Sequence, residues 1–297
     1  MRRRSAAAVL AAGLTLGALT ACSTNTATPV APVASTVPSP SASIDLGDCA
    51  PPFLTTVSAG QLTVGVPVDV DAPYATVERN SKTRIGLEAD VVYAIAEAMG
   101  FRPTSVLWEE VDVDPAAVIV PDSVDLVIGQ IPIPLPGVAT AAFTAPYLDV
   151  RQVVVARSGT SAADATTAAD LAALRLAVVS SSRGAQALAS SIRPTAEIAE
   201  ITGPDAGAAA LRRGAVDAVV LDLVDAGRVV AAADGDLVIV GALPPGSGDT
   251  TLGLALAPGN PLLPCVDRAI ADVTASGAVD AALVTWLGPG ATRPLVP

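Results

Sequence analysis

The stretch Leu211-Arg212-Arg213-Gly214-Ala215-Val216-Asp217-Ala218-Val219-Val220-Leu221-Asp222 decides the reading of the fold. Upstream of it, residues 206–213 read as a helix that stops at Gly214, because glycine takes the left-handed turn closing a helix at little cost. Residues 218–221 then form a short apolar run rich in β-branched side chains, the signature of a buried strand. Asp222 stands where an N-cap belongs, in front of a helix expected over 223–233. Helix, strand and helix in such quick succession indicate an α/β protein.

The same alternation extends outward in both directions. Residues 62–66, bounded by Gly60 and Pro67, read as a buried first strand. A helix is expected over 87–99, with Leu87, Val91, Ile95 and Ala98 on one face, Glu88, Asp90 and Glu97 on others, and Gly100 as its C-terminal cap. Strands follow at 104–108 and 124–128, then a strand at 174–179 and a short helix at 184–192. Near the end a strand is expected at 252–257, Asn260 caps a helix entered through Pro261, and a last helix covers 278–287.

The amino-terminal residues decide the compartment. Arg2, Arg3 and Arg4 precede a mostly apolar run that ends in Leu19-Thr20-Ala21-Cys22, the form of a signal peptide over 1–22. The small residue before Cys22 resembles a bacterial lipobox, in which the cysteine thiol receives lipid after cleavage. The alternative, an uncleaved membrane anchor, suits a run this short and rich in Ala and Gly poorly. Residues 23–47 are mostly Thr, Ser, Pro, Ala and Val with Asp45 the only charge, a composition that stays solvated and extended as a tether.

The roughly 250 residues that follow can build two ordinary lobes, and a hydrophobic content of 51% supplies their cores. A net charge of -12 excludes nucleic acid as a partner, and the absence of histidine excludes an imidazole base or a histidine metal ligand. Dinucleotide and Walker A glycine patterns are absent, so no cofactor is expected. With Cys22 assigned to lipid, Cys49 and Cys265 remain as an even pair in an exported chain, which reads as a disulfide; two buried thiols are the alternative.

Several segments carry a resemblance. They are Gly60-Gln61-Leu62-Thr63-Val64-Gly65-Val66 with Ala72-Pro73-Tyr74, and Gly86-Leu87-Glu88-Ala89-Asp90. Two more are Val124-Asp125-Leu126-Val127-Ile128-Gly129-Gln130 and Phe143-Thr144-Ala145-Pro146-Tyr147, and the last is the 208–222 block ending in Asp222. Together they resemble the family 3 extracellular solute-binding proteins of polar amino acid ABC transporters. Pro261-Leu262-Leu263-Pro264-Cys265-Val266-Asp267 is similar to an actinobacterial lipoprotein subgroup that also has a cysteine just before its first strand.

The resemblance implies a two-lobed periplasmic-binding-protein-like type II fold with two hinge crossovers, lobe 1 being 48–147 plus 252–297 and lobe 2 being 148–251. It implies a monomer held at the outer face of the cell membrane by the Cys22 lipid, with an ABC permease and ATPase as partners. Ligand contacts are implied at Tyr74, Asp71, Gln130, Ser182, Arg183 and Asp222. Tyr74 corresponds to an aromatic flanking the ligand, or is a turn residue packing on its own lobe. Asp222 corresponds to the holder of a ligand ammonium group, with the N-cap role beside it.

The turn Ser180-Ser181-Ser182-Arg183-Gly184 resembles one that holds a carboxylate at a helix start. One departure stands out, because Gly137 occupies the position of the family's carboxylate-clamping arginine. Arg183 or Arg151 is then the candidate substitute; Asp69 and Asp71 read first as a solvated acidic loop, and as the alternative favour a cationic or neutral ligand. The competing functions are a non-transporting sensor or scaffold with a degenerate cleft and, last, a dehydratase-like enzyme. No Ser/His/Asp, Cys/His or metal-ligand spacing supports the enzyme.

Overall fold

The computed structural model describes residues 49–68, 70, 72–77, 83–113, 118–134, 140–180, 182–245 and 249–295. The signal peptide, Cys22, the tether, Asp69, Asp71 and Gly137 lie outside the described residues, as does the side chain of Arg183.

The first strand, β1 (Leu62–Pro67), is buried along nearly its whole length, as a run without polar alternation requires. A small hairpin, β2 (Thr76–Val77) and β3 (Arg84–Ile85), leads into helix α1 (Leu87–Ala98). Gly86 makes this entry possible: its φ is 136°, and a Cβ there would lie 2.2 Å from the Tyr74 carbonyl oxygen. The first amides of α1 donate to the carbonyls of Pro73 and Tyr74, so the Tyr74 turn serves as the helix cap.

The expected polar faces of α1 are not all in solvent. Glu88 is 1% exposed, and Asp90 accepts a 2.7 Å hydrogen bond from the Trp286 indole. Periodicity counted both as surface residues, and tertiary partners override it.

Strand β4 (Val106–Val111) starts two residues later than expected, because Pro103–Ser105 forms a 3₁₀ turn with proline at its first position. It pairs in parallel with β1, as does β5 (Leu126–Val127). After β6 (Ala142–Phe143) the chain leaves through β7 (Leu148–Val150) and enters β8 (Gln152–Arg157).

A second group of elements follows in alternation. It comprises α2 (Ala168–Leu171), β9 (Leu176–Val179), α3 (Arg183–Ser191), β10 (Ala199–Ile201) and α4 (Pro204–Arg212). It closes with β11 (Ala218–Asp222), α5 (Leu223–Ala231) and β12 (Leu237–Ala242).

The chain returns through β13 (Thr250–Leu252) and β14 (Ala255–Leu256) and ends in α6 (Leu263–Ala275) and α7 (Ala278–Leu287). The single strand expected at 252–257 is thus two. It breaks at Gly253, where a Cβ would sit 2.8 Å from the Ile133 side chain. Asn260 is not the cap of α6, which begins at Leu263 behind Leu262; its side chain accepts from the Leu262 amide at 2.9 Å in the turn that precedes the helix.

Two five-stranded sheets result, ordered β4-β1-β5-β14-β6 and β10-β9-β11-β8-β12, each the core of one lobe. Between them β7 and β13 pair antiparallel, Leu148 opposite Leu252 and Val150 opposite Thr250, forming a ribbon at the two crossings. Odd-numbered residues of the second sheet, Val153, Val155, Ala177, Val219 and Leu221, pack with Ala208, Leu211, Leu223 and Val229 of α4 and α5. Even-numbered ones, Val154, Ala156, Val178 and Val220, pack with Leu188 of α3 and nearby Ile192. The two faces therefore follow directly from the period of two in a strand.

Beyond α7 the chain reaches the second sheet again. The Leu295 amide donates to the Ala242 carbonyl and the Ala242 amide to that of Arg293, both at 2.8 Å, while the Arg293 guanidinium donates to the carbonyls of Val240 and Ala165. Cys49 and Cys265 form a disulfide with a Cα–Cα distance of 5.4 Å, fastening the start of the described chain to α6.

Candidate functional site

In open α/β sheets ligands bind outside the carboxyl ends of the strands, where loops meet. Here β1 runs out toward Tyr74, β5 toward Gln130, β9 toward Ser182 and β11 toward Asp222. Four of the residues expected to contact a ligand thus sit at strand ends, and the structure gives each a distinct environment.

Tyr74 is 3% exposed. Its hydroxyl donates across to the first turn of α5, 2.7 Å from the Val224 carbonyl oxygen and 3.2 Å from that of Leu223. The close approach depends on Gly227, where a Cβ would lie 2.5 Å from the Tyr74 hydroxyl and 2.9 Å from Leu287. Burial, reinforced by Glu88, Asp222 and Asp225, holds the phenol neutral well beyond the usual tyrosine range. The ring neither packs on its own lobe alone nor stands open in a cleft; it joins the two lobes.

Glu88 is the second buried anchor. Its Oε1 accepts from the Gln130 amide at 2.7 Å and from the Tyr147 hydroxyl at 2.5 Å, while its Oε2 has no partner. Burial pushes the carboxyl up to about 7, against the opposing pull of those two donors. Gln130 itself has a φ of 54°, so the amide bond to Glu88 holds a left-handed turn at the end of β5.

On the second lobe, Asp222 caps α5, its Oδ1 accepting from the Asp225 amide at 2.8 Å. The cap uses one carboxylate oxygen. Ser182 is the N-cap residue of α3, yet its side chain makes no cap hydrogen bond and its buried Oγ has no partner. Arg183 opens α3. Arg151 lies apart, lining a cavity of about 290 Å³ with Tyr147, Asp149, Leu223, Asp280 and Thr292, on the α5 and α7 side of the hinge ribbon.

Two residues that sequence reasoning missed belong to the same region. Glu88 is one. The other is Gln152, paired with Asp222 across the β8–β11 ladder and 8% exposed. Among the described residues no group of three His, Cys, Asp or Glu side chains is placed to hold a metal ion.

The profile of the bacterial extracellular solute-binding proteins, family 3, matches residues 62–289. The chain belongs to that family. No curated protein sequence matches it. Among solved structures, the L-cystine solute receptor of Neisseria gonorrhoeae in its unliganded open conformation aligns at 19% identity. The alignment covers 78% of this chain and 94% of that one, with a TM-score of 0.57.

Substrate binding domain 2 of Lactococcus lactis GlnP, in an open conformation, aligns at 16% identity over 77% and 95% of the two chains, with a TM-score of 0.57. An ancestral cationic amino acid solute binding protein aligns at 21% identity over 78% and 97%, with a TM-score of 0.52. At these identities the likeness is one of fold: the family 3 chain has the two-lobed type II architecture with two crossings.

Proposed function

We propose that this family 3 protein is the substrate-binding lipoprotein of an ABC importer. It takes a small polar solute, an amino acid or a close analogue, between its lobes and passes it to a permease and ATPase complex. Cys22 carries the lipid that holds it to the outer face of the membrane, residues 23–47 are the tether, and the protein works as a monomer. The residues 48–147 with 252–297, and 148–251, are the two lobes that close on the solute. It performs no chemistry on the solute and uses no cofactor, and it belongs to the actinobacterial lipoprotein subgroup.

The observation that carries this reading is the second-lobe rim, where the half-buried Asp222 and the unpartnered hydroxyl of Ser182 stand at the ends of β11 and β9 in a solute-binding fold. A carboxylate beside a helix start suits a solute bearing both an ammonium group and an anion. Gln130, Asp71 and Arg183 are the other contacts, while Tyr74 would reach the solute only if the lobes part and free its hydroxyl from α5. With Gly137 in place of the clamping arginine, the solute's anion is held by the second lobe.

The test is a thermal-shift panel of amino acids, amines, opines and small peptides, since a ligand that binds only the native state raises its melting temperature. A dose-dependent rise with one class supports the reading, and none across the panel sinks it. A second reading, a sensor or scaffold that transports nothing, is favoured by Tyr74, whose hydroxyl already bonds the opposite lobe. It gains if no compound shifts the melt.

A further inference from the structure

Lobes joined by hinge strands part freely unless another contact ties them. Tyr74, in the turn that leads to α1, supplies such a contact. Its hydroxyl donates to the Val224 carbonyl at 2.7 Å and to that of Leu223 at 3.2 Å, both in the first turn of α5. Burial, with Glu88, Asp222 and Asp225 around it, keeps the phenol protonated, so the donor is present at neutral pH. Every atom of this contact belongs to the chain itself.

The contact is also separable. A helical carbonyl accepts from the amide four residues on and keeps a second lone pair for another donor, so α5 retains its own bonds when the hydroxyl leaves. Parting the lobes here breaks the hydroxyl bond without unwinding the helix.

Gly227 shows that α5 is shaped for this approach. It is the fifth of the nine residues of the helix, an interior position that glycine suits poorly. A Cβ there would lie 2.5 Å from the Tyr74 hydroxyl oxygen, 3.3 Å from Tyr74 Cζ and 2.9 Å from the Leu287 side chain of α7. Both neighbours come from the first lobe, so the helix lacks a side chain where that lobe presses on it.

We infer that Tyr74 and Gly227 form a latch, an autoinhibitory contact through which the chain's own atoms hold the two lobes closed and which opens without unfolding either lobe. For a binding protein the consequence is weaker capture. A solute enters only the open population, and its apparent dissociation constant rises as the inverse of that fraction. This consequence rests on the proposed solute-binding function, whereas the latch rests on the two-lobed fold.

Single-molecule energy transfer in the full chain tests it, with dyes on the exposed positions Glu97 of α1 and Arg212 of α4 and no solute added. Wild type gives mainly one short-distance population. Tyr74→Phe deletes one hydroxyl oxygen and raises the ratio of open to closed molecules about fivefold. Gly227→Ala favours α5 as a helix but drives a methyl group into Tyr74 and Leu287, and it opens the lobes at least as far.

If Tyr74→Phe and wild type give the same distribution, or wild type is already mainly open, the latch is overturned and the solute-binding function is untouched. Should Gly227→Ala fail to fold, Tyr74→Phe decides alone. A ligand panel that shifts no melting temperature bears on the solute-binding function and leaves this outcome unchanged.

Discussion

Replacing Glu88 with glutamine isolates one buried carboxyl and makes a signed prediction. In the folded protein burial raises the Glu88 carboxyl from about 4.5 to about 7. Its folded value lies above its unfolded one, so its stabilising contribution is complete below about pH 4.5 and is lost as pH rises through about 7. A displacement of that size corresponds to about 3 kcal/mol by pH 8.

In the Glu88→Gln variant the new side chain keeps an Oε1 that accepts from the Gln130 amide and the Tyr147 hydroxyl, and it carries no charge to desolvate. Whatever its nitrogen costs at the unpartnered Oε2 position is independent of pH. Between pH 4.5 and pH 8, Glu88→Gln therefore gains about 3 kcal/mol relative to wild type, or roughly 6–12 °C in melting temperature for a domain of this size. Asp125, Asp225 and Asp267 are also raised by burial, but they titrate alike in both proteins and cancel in the difference. Paired calorimetric scans across that range measure it, and a wild-type-to-variant gap that stays constant with pH refutes the reasoning.

Three further outcomes are expected. Tyr74→Phe removes the hydroxyl that donates to the Leu223 and Val224 carbonyls in the first turn of α5, so it lowers stability by about 1 kcal/mol in urea unfolding. Gly86→Ala forces a methyl group into the Tyr74 carbonyl at a positive φ, and a loss of more than about 2 kcal/mol in the same assay is expected. Reduction, or replacement of Cys49 and Cys265 by serine, opens a loop spanning a sequence separation of 216 and costs at most roughly 5 kcal/mol, read as a fall in the unfolding midpoint.

The helix–strand–helix around Gly214 and the last helix at Ala278–Leu287 were legible because each combines strong periodicity with a glycine stop. Strands β8 and β12 were not among the expected elements. Their residues are buried on both faces, which removes the alternation that marks a half-buried strand. That omission is also why Gln152 escaped notice, since its importance comes from standing opposite Asp222 in a ladder no local pattern announces.

Glu88 escaped for a related reason. Helical spacing gave it a polar face, and only the turn at Gln130 and the hydroxyl of Tyr147, 42 and 59 residues away, make burial tolerable. Asp222 was legible as a cap from its position before α5, whereas Ser182, equally well placed before α3, keeps its hydroxyl out of that role.

The strand-like pairing of Leu295 and Arg293 with β12 changes the mechanics of the hinge. Two strands joining a pair of rigid plates permit rotation about their common axis; a third strut fastened to the far plate turns that rotation into a lever problem. The turn Pro289–Ala291 already packs on β12, the Gly290 backbone lying against the Ile239 carbonyl, so a swing of the second lobe would have to be absorbed where α7 ends at Gly288, whose φ is 84°, or else peel the strut from the edge it covers.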